Sequence, residues 1–184
     1  MAYPVLQREL TIHLNNGNWY LRPIDNPKIL GPVDYGWHRF NAYPDSFTLG
    51  EGLLAGSSIP GSRRLVFCAW SPQWDGFYIS SMGGAAYTFH HVGVNYVALR
   101  GSCETPSVVI LNHKQGEVQV RMEAINVDSI WTRYASANGI PLYGFYALQQ
   151  AIFDRYAQEF PVNQLRIMAV GPASKYTREG AIGS

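Results

Sequence analysis

Cysteine is scarce in this sequence, with Cys68 and Cys103 as the two examples among 184 residues. They are far apart and fit no metal-binding spacing, and the five histidines show no zinc-binding spacing either. No metal centre is therefore expected to be held by the chain's own cysteines or histidines, and both thiols are expected to be buried and unpaired. Of the adjacent residues His90 and His91, one side chain is expected to lie at the surface and the other to pack against the protein.

Charged side chains are also few, at 15% of the residues against about a quarter in an average soluble domain. Another protein covering much of the surface would explain this shortage. A compact β protein rich in Tyr and Trp explains it equally well. The net charge of +1 comes from 14 basic and 13 acidic residues without a basic stripe, so neither nucleic acid nor a membrane surface is an expected partner.

Long apolar runs are absent as well, since no stretch approaches the length that crosses a bilayer. The first residues, MAYP, lack the charged and then apolar pattern of a signal peptide. We therefore expect a cytoplasmic protein. A chain of 184 residues is long enough for one domain, or two small lobes, with a substantial core.

Apolar and polar residues alternate over much of the chain, as in strands with one buried face. The opening segment predicts a hairpin in which residues 10–14 and 19–21 flank a tight Asn16-Gly17 turn. Residues 65–70 form a nearly continuous apolar run, which indicates a strand buried on both faces. Strands are also predicted over 47–55, 77–80, 94–100, 108–112, 118–122 and 165–170.

Helical signals are fewer. A short helix is predicted over 85–92, ended by Gly93, and Asp128 is expected to cap another. The clearest helix covers 142–160, with an apolar stripe along one face. The Pro- and Gly-rich segment 23–44 is expected to be a loop or a short helix. The predicted fold class is α+β with a dominant sheet component, built from eight or nine strands and two or three helices.

The residues that could bind a ligand are concentrated in segment 52–84. Arg63 and Arg64 follow a turn and precede the apolar strand, where alternation should direct their side chains to opposite faces. About twenty residues later, the turn 80–84 (SSMGG) leads from a strand into a helix. Its glycines permit close backbone approach, amides at a helix start favour phosphate, and an arginine adds a bidentate contact.

Each of these features is common by itself, because strand-Gly-Gly-helix joints and surface arginines occur in many proteins. The segment also lacks the glycine pattern of a dinucleotide fold and the Lys-Ser/Thr of a P-loop. The residues alone therefore allow a phosphate-bearing ligand without requiring one.

Segment 52–64 (GLLAGSSIPGSRR) resembles the Gly-Pro-Leu-x-Gly-x-x-x-Pro-x-x-x-Arg segment of the aldehyde:ferredoxin oxidoreductase family. Ser71-Pro72 and the Met-Gly-Gly of the 80–84 turn follow at the family's spacing. Later matches lie at 92–96, 100–110 and 170–173, so the resemblance covers roughly residues 30 to 184. The branch that acts on glyceraldehyde 3-phosphate is the most similar, on residues that include 33–36 (VDYG), 64–67 (RLVF) and 180–182 (GAI).

The resemblance implies the fold of the family's N-terminal domain, in which two β-sheets form a saddle under a bis-pterin cofactor of tungsten or molybdenum. It implies that Arg64 contacts a pterin, and that the main-chain carbonyl of Ser81 binds a magnesium ion bridging the pterin phosphates. The family has Asn in place of Ser81, a change that a main-chain ligand tolerates. The implied cofactor-binding residues are Arg64, Ser80, Ser81, Met82, Gly83 and Gly84.

The resemblance also implies an activity for the assembled enzyme, which would oxidise an aldehyde to the carboxylic acid. Electrons would pass through a [4Fe-4S] cluster to ferredoxin or a ferredoxin-like subunit. The family's cluster cysteines and its acid–base residues lie beyond this region and have no counterpart here. We therefore expect no catalytic residue in this chain, no activity from the chain alone, and a partner in the form of the remaining catalytic domains or a large subunit.

Two other readings remain open at this point. The chain could be a stand-alone binding module whose Tyr and Trp residues stack on a sugar or another planar ligand. It could also be a structural subunit of the same family that has lost contact with the cofactor. Whether it is a fragment or one half of a split enzyme is also open.

Overall fold

The computed structural model describes residues 6–136, 138–176 and 182–183. The chain divides into two compact units, residues 1–123 and residues 124–184. No helix among the described residues is both long enough and apolar enough to span a bilayer.

A six-stranded sheet is the centre of the first unit, with strand order β2-β1-β6-β3-β4-β5. Its strands are β1 (Arg8–His13), β2 (Trp19–Pro23), β3 (Phe47–Glu51), β4 (Leu65–Ser71), β5 (Gly76–Met82) and β6 (Tyr96–Arg100). Strands β1 and β6 pair in parallel and the other neighbours are antiparallel. The predicted opening hairpin is confirmed, but the tight Asn16-Gly17 turn is corrected: β1 ends at His13 and β2 begins at Trp19, and Gly17 has a positive φ of +73° whereas Asn16 does not have a positive φ.

Helix α1 (Pro32–Ala42) covers one face of this sheet and brings polar groups into the interior. The ring of Tyr35 stacks on Tyr96 of β6, with centroids 4.6 Å apart. The buried Arg39 guanidinium donates to Thr11 Oγ1 at 2.6 Å and lies 3.5 Å from the Glu9 carboxylate, so the buried charges are paired. These long-range contacts explain why eleven ordered helical residues occur where the sequence predicts a loop or a short helix.

The opposite face of the sheet carries the apolar core of the first unit. Helix α2 (Ala85–Phe89), a 3-10 turn (His90–Val92) and the two-stranded sheet of β7 (Ser107–Lys114) and β8 (Glu117–Ala124) pack against it. The buried residues of this core are Leu10, Ile12, Leu49, Ala55, Leu65, Phe67, Ala85, Ala86, Phe89, Val94, Val97 and Val118.

The second unit is mainly helical, and its longest element is helix α4 (Gly144–Tyr156). Leu148, Ile152 and Tyr156 are buried along one side of this helix, which confirms the predicted apolar stripe. The other described elements are α3 (Val127–Thr132), β9 (Tyr134–Ala135), β10 (Pro141–Leu142), β11 (Ala169–Val170), α5 (Ala173–Tyr176) and β12 (Ile182–Gly183).

Several predicted boundaries are corrected in the structure. Asn126 occupies the N-cap position of α3, and Asp128 lies in its first turn, so the predicted cap is two residues too late. The strand predicted over 165–170 is reduced to β11, and the strand over 47–55 ends at Glu51 because a series of turns follows. The α+β class with a dominant sheet is confirmed, and the described residues form five α-helices where the sequence predicts two or three.

Candidate functional site

The hairpin of β4 and β5 brings together the two segments that the sequence singles out. Its register pairs Leu65 with Met82 and Val66 with Ser81, so the residue before β4 lies beside the end of β5. Because of this proximity, Nη1 of Arg64 donates to Ser81 Oγ at 3.2 Å. Both side chains are exposed, so the remaining guanidinium donors face solvent.

The two neighbouring arginines have different partners, as strand alternation predicts. Leu65 begins β4 with its side chain in the apolar core, at 0% exposure. Arg63 lies on the side of that core, with its guanidinium carbon 4.8 Å from the ring centroid of Tyr87 on α2. Arg64 contacts Ser81 on the opposite face of the hairpin. Only the second arginine is therefore directed toward the end of β5.

The turn after β5 is open on its outer side. No described atom lies within 4 Å of the position that a Cβ would occupy on Gly83 or Gly84. Gly84 has a φ of +78°, which favours glycine, and it precedes α2 without a side-chain cap. Helix α2 has five residues, so its macrodipole adds little to the attraction of an anion. Backbone access, rather than the helix dipole, is what this turn offers a ligand.

The structure separates the six predicted cofactor-binding residues into two groups. Ser80 pairs with Phe67 and lies on the face of the hairpin opposite Ser81, and half-buried Met82 packs against the apolar core. The residues that gather at the exposed end of the hairpin are Arg64, Ser81, Gly83 and Gly84. Their roles toward a cofactor, and those of Ser80 and Met82, stay predictions.

Large aromatic and aliphatic side chains are exposed around the same hairpin. Trp74, in the turn between β4 and β5, is 71% exposed. Its exposed neighbours on this part of the first unit are Trp37, Trp70, Tyr78, Ile79 and Tyr87. This aromatic surface is concentrated toward the turn of the hairpin, where Trp70 pairs with Phe77, whereas Arg64 and Ser81 lie at the opposite end of the two strands.

The two thiols lie away from this site and are free. Burial raises the pKa of Cys68 to about 11, so its thiol is protonated at neutral pH. Cys103 is half-buried and donates to the main-chain oxygen of Leu14, which corrects the expectation that both thiols are fully buried. Among the described residues, no three His, Cys, Asp or Glu side chains are grouped so that they could hold a metal ion.

A pair of residues near the site has no counterpart in the sequence-based predictions. The carboxylate of Glu51, at the end of β3, is buried with Oε1 2.8 Å from Nδ1 of His90. Burial raises the pKa of Glu51, and the contact with His90 partly opposes that rise. The two residues are 39 positions apart, so the one available signal was a glutamate ending an otherwise uncharged strand.

The fold recurs in a known class of protein. The structure of the active-site complex BamBC of benzoyl coenzyme A reductase, in complex with 1,5-dienoyl-CoA, matches with a TM-score of 0.64. The match has 20% identity and covers 91% of this chain and 25% of that one, which shows a shared fold. Residues 10–183 match the family described as aldehyde ferredoxin oxidoreductase, N-terminal domain. The chain belongs to this family, and the predicted resemblance is confirmed.

Two curated relatives extend the family assignment. The glyceraldehyde-3-phosphate:ferredoxin oxidoreductase of Pyrococcus furiosus is 40% identical over 138 residues, which are 73% of this chain and 20% of that protein. An uncharacterized protein of Methanocaldococcus jannaschii is 34% identical over 85% of this chain and 24% of its own length. The predicted similarity to the glyceraldehyde-3-phosphate branch is confirmed, and the chain spans about a fifth to a quarter of these relatives.

Proposed function

We propose that this chain is the pterin-binding part of a cytoplasmic tungsten-dependent oxidoreductase. The complete enzyme oxidises a small aldehyde to the carboxylic acid and passes electrons to ferredoxin, and glyceraldehyde 3-phosphate is the leading candidate substrate. The family assignment and the 40% identity to a glyceraldehyde-3-phosphate:ferredoxin oxidoreductase support this proposal. The share of the relatives that the chain spans supports a further catalytic partner, either more domains or a large subunit.

The observation that carries the proposal is the meeting of Arg64 with the end of β5. The guanidinium and the Ser81 hydroxyl come from segments 17 residues apart, and the open Gly83-Gly84 turn adjoins them. A planar, phosphate-bearing ligand needs a forked cationic donor and a backbone that it can approach closely. Arg64 provides the cationic donor and the Gly83-Gly84 turn provides the accessible backbone, at one exposed end of the hairpin. The chain therefore fits the pterin cofactor that its family implies.

Each residue would make a different contribution to holding that group. Arg64 would donate to the pterin edge or its phosphate, exchanging the Ser81 hydroxyl for a charged acceptor. The Ser81 carbonyl would bind the magnesium ion between the phosphates, and Gly83 and Gly84 would let the ligand approach their main chain. Met82 would anchor the turn through its contact with the core. The bound metal–pterin group supplies the oxygen-atom and electron chemistry.

The rest of the proposed reaction belongs to the partner. The [4Fe-4S] cluster, the acid–base residues and the contact with ferredoxin would lie in the remaining catalytic domains or large subunit. Tungsten is proposed as the metal and molybdenum is the alternative. In this division of roles between the chain and its proposed partner, the chain binds and orients the cofactor and does not act on the substrate.

The proposal is tested by purifying the protein with its natural partners and measuring metal and pterin together. We expect about one tungsten or molybdenum ion and two pterins for each copy of this chain, which is the composition of one bis-pterin group. We also expect the assembly to oxidise an aldehyde when a dye is supplied as the electron acceptor. A folded assembly that lacks pterin and does not oxidise aldehydes would instead support a binding or structural subunit without cofactor. The exposed aromatic surface around Trp74 would then be the place to search for a planar ligand.

A further inference from the structure

The carboxylate of Glu51 is a fixed acceptor in the interior of the first unit. The residue is 4% exposed, and its main-chain N–H donates to the Asn95 carbonyl at 3.0 Å. Oε1 lies 2.8 Å from His90 Nδ1, whereas Oε2 is buried and has no hydrogen-bond partner among the described residues. Because the strand end is held in the sheet, the carboxylate sets the orientation of the half-exposed His90 ring.

The His90 ring in turn lies against the loop that precedes the arginines. A Cβ placed on Gly56 would come 3.0 Å from His90 Cδ2 and 3.2 Å from Nε2, so the ring and the loop backbone are in close contact. Gly56 also has a φ of +84°, which side chains rarely adopt. Glycine at 56 therefore permits both the positive φ and the close approach of the His90 ring.

Hydrogen bonds within the loop restrict the conformation of the residues between Gly56 and Arg64. Ser57 Oγ lies 3.4 Å from Ser62 Oγ, which closes the loop across five residues. The Ser62 hydroxyl also donates to the Ile59 carbonyl at 2.8 Å. With Gly56 fixed under His90, these contacts limit where the last residues before β4 can lie.

The segment after α2 also contacts the far end of the loop. The ring of His91 meets Tyr87 edge-on with centroids 5.6 Å apart, and Tyr87 lies under the guanidinium of Arg63. His90 therefore contacts the loop at Gly56, and His91 contacts Tyr87, which lies under Arg63 at the other end of the loop. The loop is held both by its internal hydrogen bonds and by this short segment of chain.

We propose that Glu51 and His90 are positioning residues, which hold loop 52–64 at Gly56 against the 3-10 turn after α2. In this way they fix the path by which the chain reaches Arg64, whose place beside Ser81 is set by the β4–β5 register. The consequence for cofactor binding rests on the proposed function. The claim about the loop concerns this chain alone and can be tested without any cofactor. The main chain of Glu51 pairs with Leu65 in the β3–β4 register, so the proposed action through the loop concerns the side chains of Glu51 and His90.

Hydrogen exchange tests the claim on the whole chain, together with any subunit that purifies with it. In Glu51→Ala and His90→Ala, we expect the protected amides of residues 53–62 to exchange about ten to a hundred times faster, as for loss of a hydrogen bond to a charged group. In Glu51→Gln, a carbonyl oxygen can still accept from His90, so exchange should stay within about twofold of the wild type. Amides of β4 and α2 should be unchanged in all three variants.

Three results would overturn the positioning role. The first is unchanged exchange in the loop of both alanine variants. The second is equal acceleration in the loop and in α2, which indicates a general loss of stability. The third is a Glu51→Gln variant that behaves like Glu51→Ala, because the hydrogen-bond acceptor that glutamine retains would then not be what holds the loop. Pterin content of the same preparations separates this claim from the proposed function. A loosened loop with full pterin in both Glu51→Ala and Arg64→Ala would support the positioning role and reject the cofactor site.

Discussion

Arg63 and Arg64 show how one residue's difference in position changes what an arginine can bind. The guanidinium of Arg63 lies over the ring of Tyr87 and makes a cation–π contact with it. Arg64 has a hydroxyl as its partner and is exposed, so its charge is available to an anionic ligand. The sequence predicts this division through strand alternation, but it does not predict that Tyr87 is the partner of Arg63.

Replacing these two arginines should have unequal effects on cofactor content. Arg64→Ala removes a charge-assisted contact, so we expect the retained pterin to be bound about tenfold to a hundredfold more weakly. The sheet should remain folded, because buried Leu65 and Phe67 supply the packing of β4. Arg63→Ala is the matched control and should retain more cofactor. Metal and pterin analysis of both variants checks this, and a loss in Arg63→Ala alone would mean that the site is misassigned by one residue.

Glu51 should make stability depend on pH in a definite direction. Burial raises its pKa, so the folded chain binds this proton more tightly than the unfolded chain does. The free energy of unfolding therefore falls as pH rises from the ordinary glutamate pKa, about 4.3, through the raised value. Glutamine does not titrate. We expect Glu51→Gln to gain stability relative to the wild type as the pH rises above the ordinary glutamate pKa of about 4.3, measured by urea unfolding. A constant difference would contradict a raised pKa.

Among the elements, α1 illustrates what local pattern does not reveal. Its segment 23–44 contains four prolines and two glycines, which are typical of a loop, and its helical state depends on contacts made elsewhere in the chain. Tyr35 stacks on Tyr96, and Arg39 pairs with Glu9, each across a long sequence separation. By contrast, the opening hairpin and β4 were predictable because alternation, turn residues and apolar runs are local signals.

The contact between α1 and the sheet is close enough to test with one methyl group. A Cβ on Gly36 would lie 2.5 Å from both Cβ and Sγ of Cys68, and 3.1 Å from Thr48 Oγ1. Because Cys68 Cβ is held by β4, Gly36→Ala should lower the free energy of unfolding by about 1–3 kcal/mol. Gly52→Ala is a suitable control, since no described atom lies within 4 Å of its Cβ position. Urea denaturation that finds the two variants equal would contradict the observed packing of α1.

At the scale of the whole molecule, the chain matches a fifth to a quarter of its curated relatives and exposes a large aromatic surface. The sequence indicated the family through the order and spacing of weak motifs, and the family match confirms it. The site could be predicted only as a set of candidates. Its geometry depends on the β4–β5 register and on the Glu51–His90 contact, and the second joins positions 39 residues apart whose one sequence signal is a glutamate that ends an otherwise uncharged strand.

The chain without its partner should be unable to carry out the redox reaction. Its two cysteines are far apart in sequence, and the thiol of Cys68 is buried with a raised pKa. We expect the purified chain alone to contain no iron and to give no aldehyde-dependent reduction of a dye acceptor. Iron analysis and a steady-state assay check this directly. Iron near one cluster per chain, or turnover by the chain alone, would reject the division of labour proposed above.

The most direct measurement of the central claim is an experimental structure of the assembly purified with its cofactor. We predict density for a pterin or its phosphate within hydrogen-bonding distance of the Arg64 guanidinium, and a magnesium ion on the Ser81 carbonyl. Gly83 and Gly84 should line the same ligand through their main chain. A pterin bound elsewhere, with Arg64 still donating to the Ser81 hydroxyl and no ligand at the turn, would contradict the account.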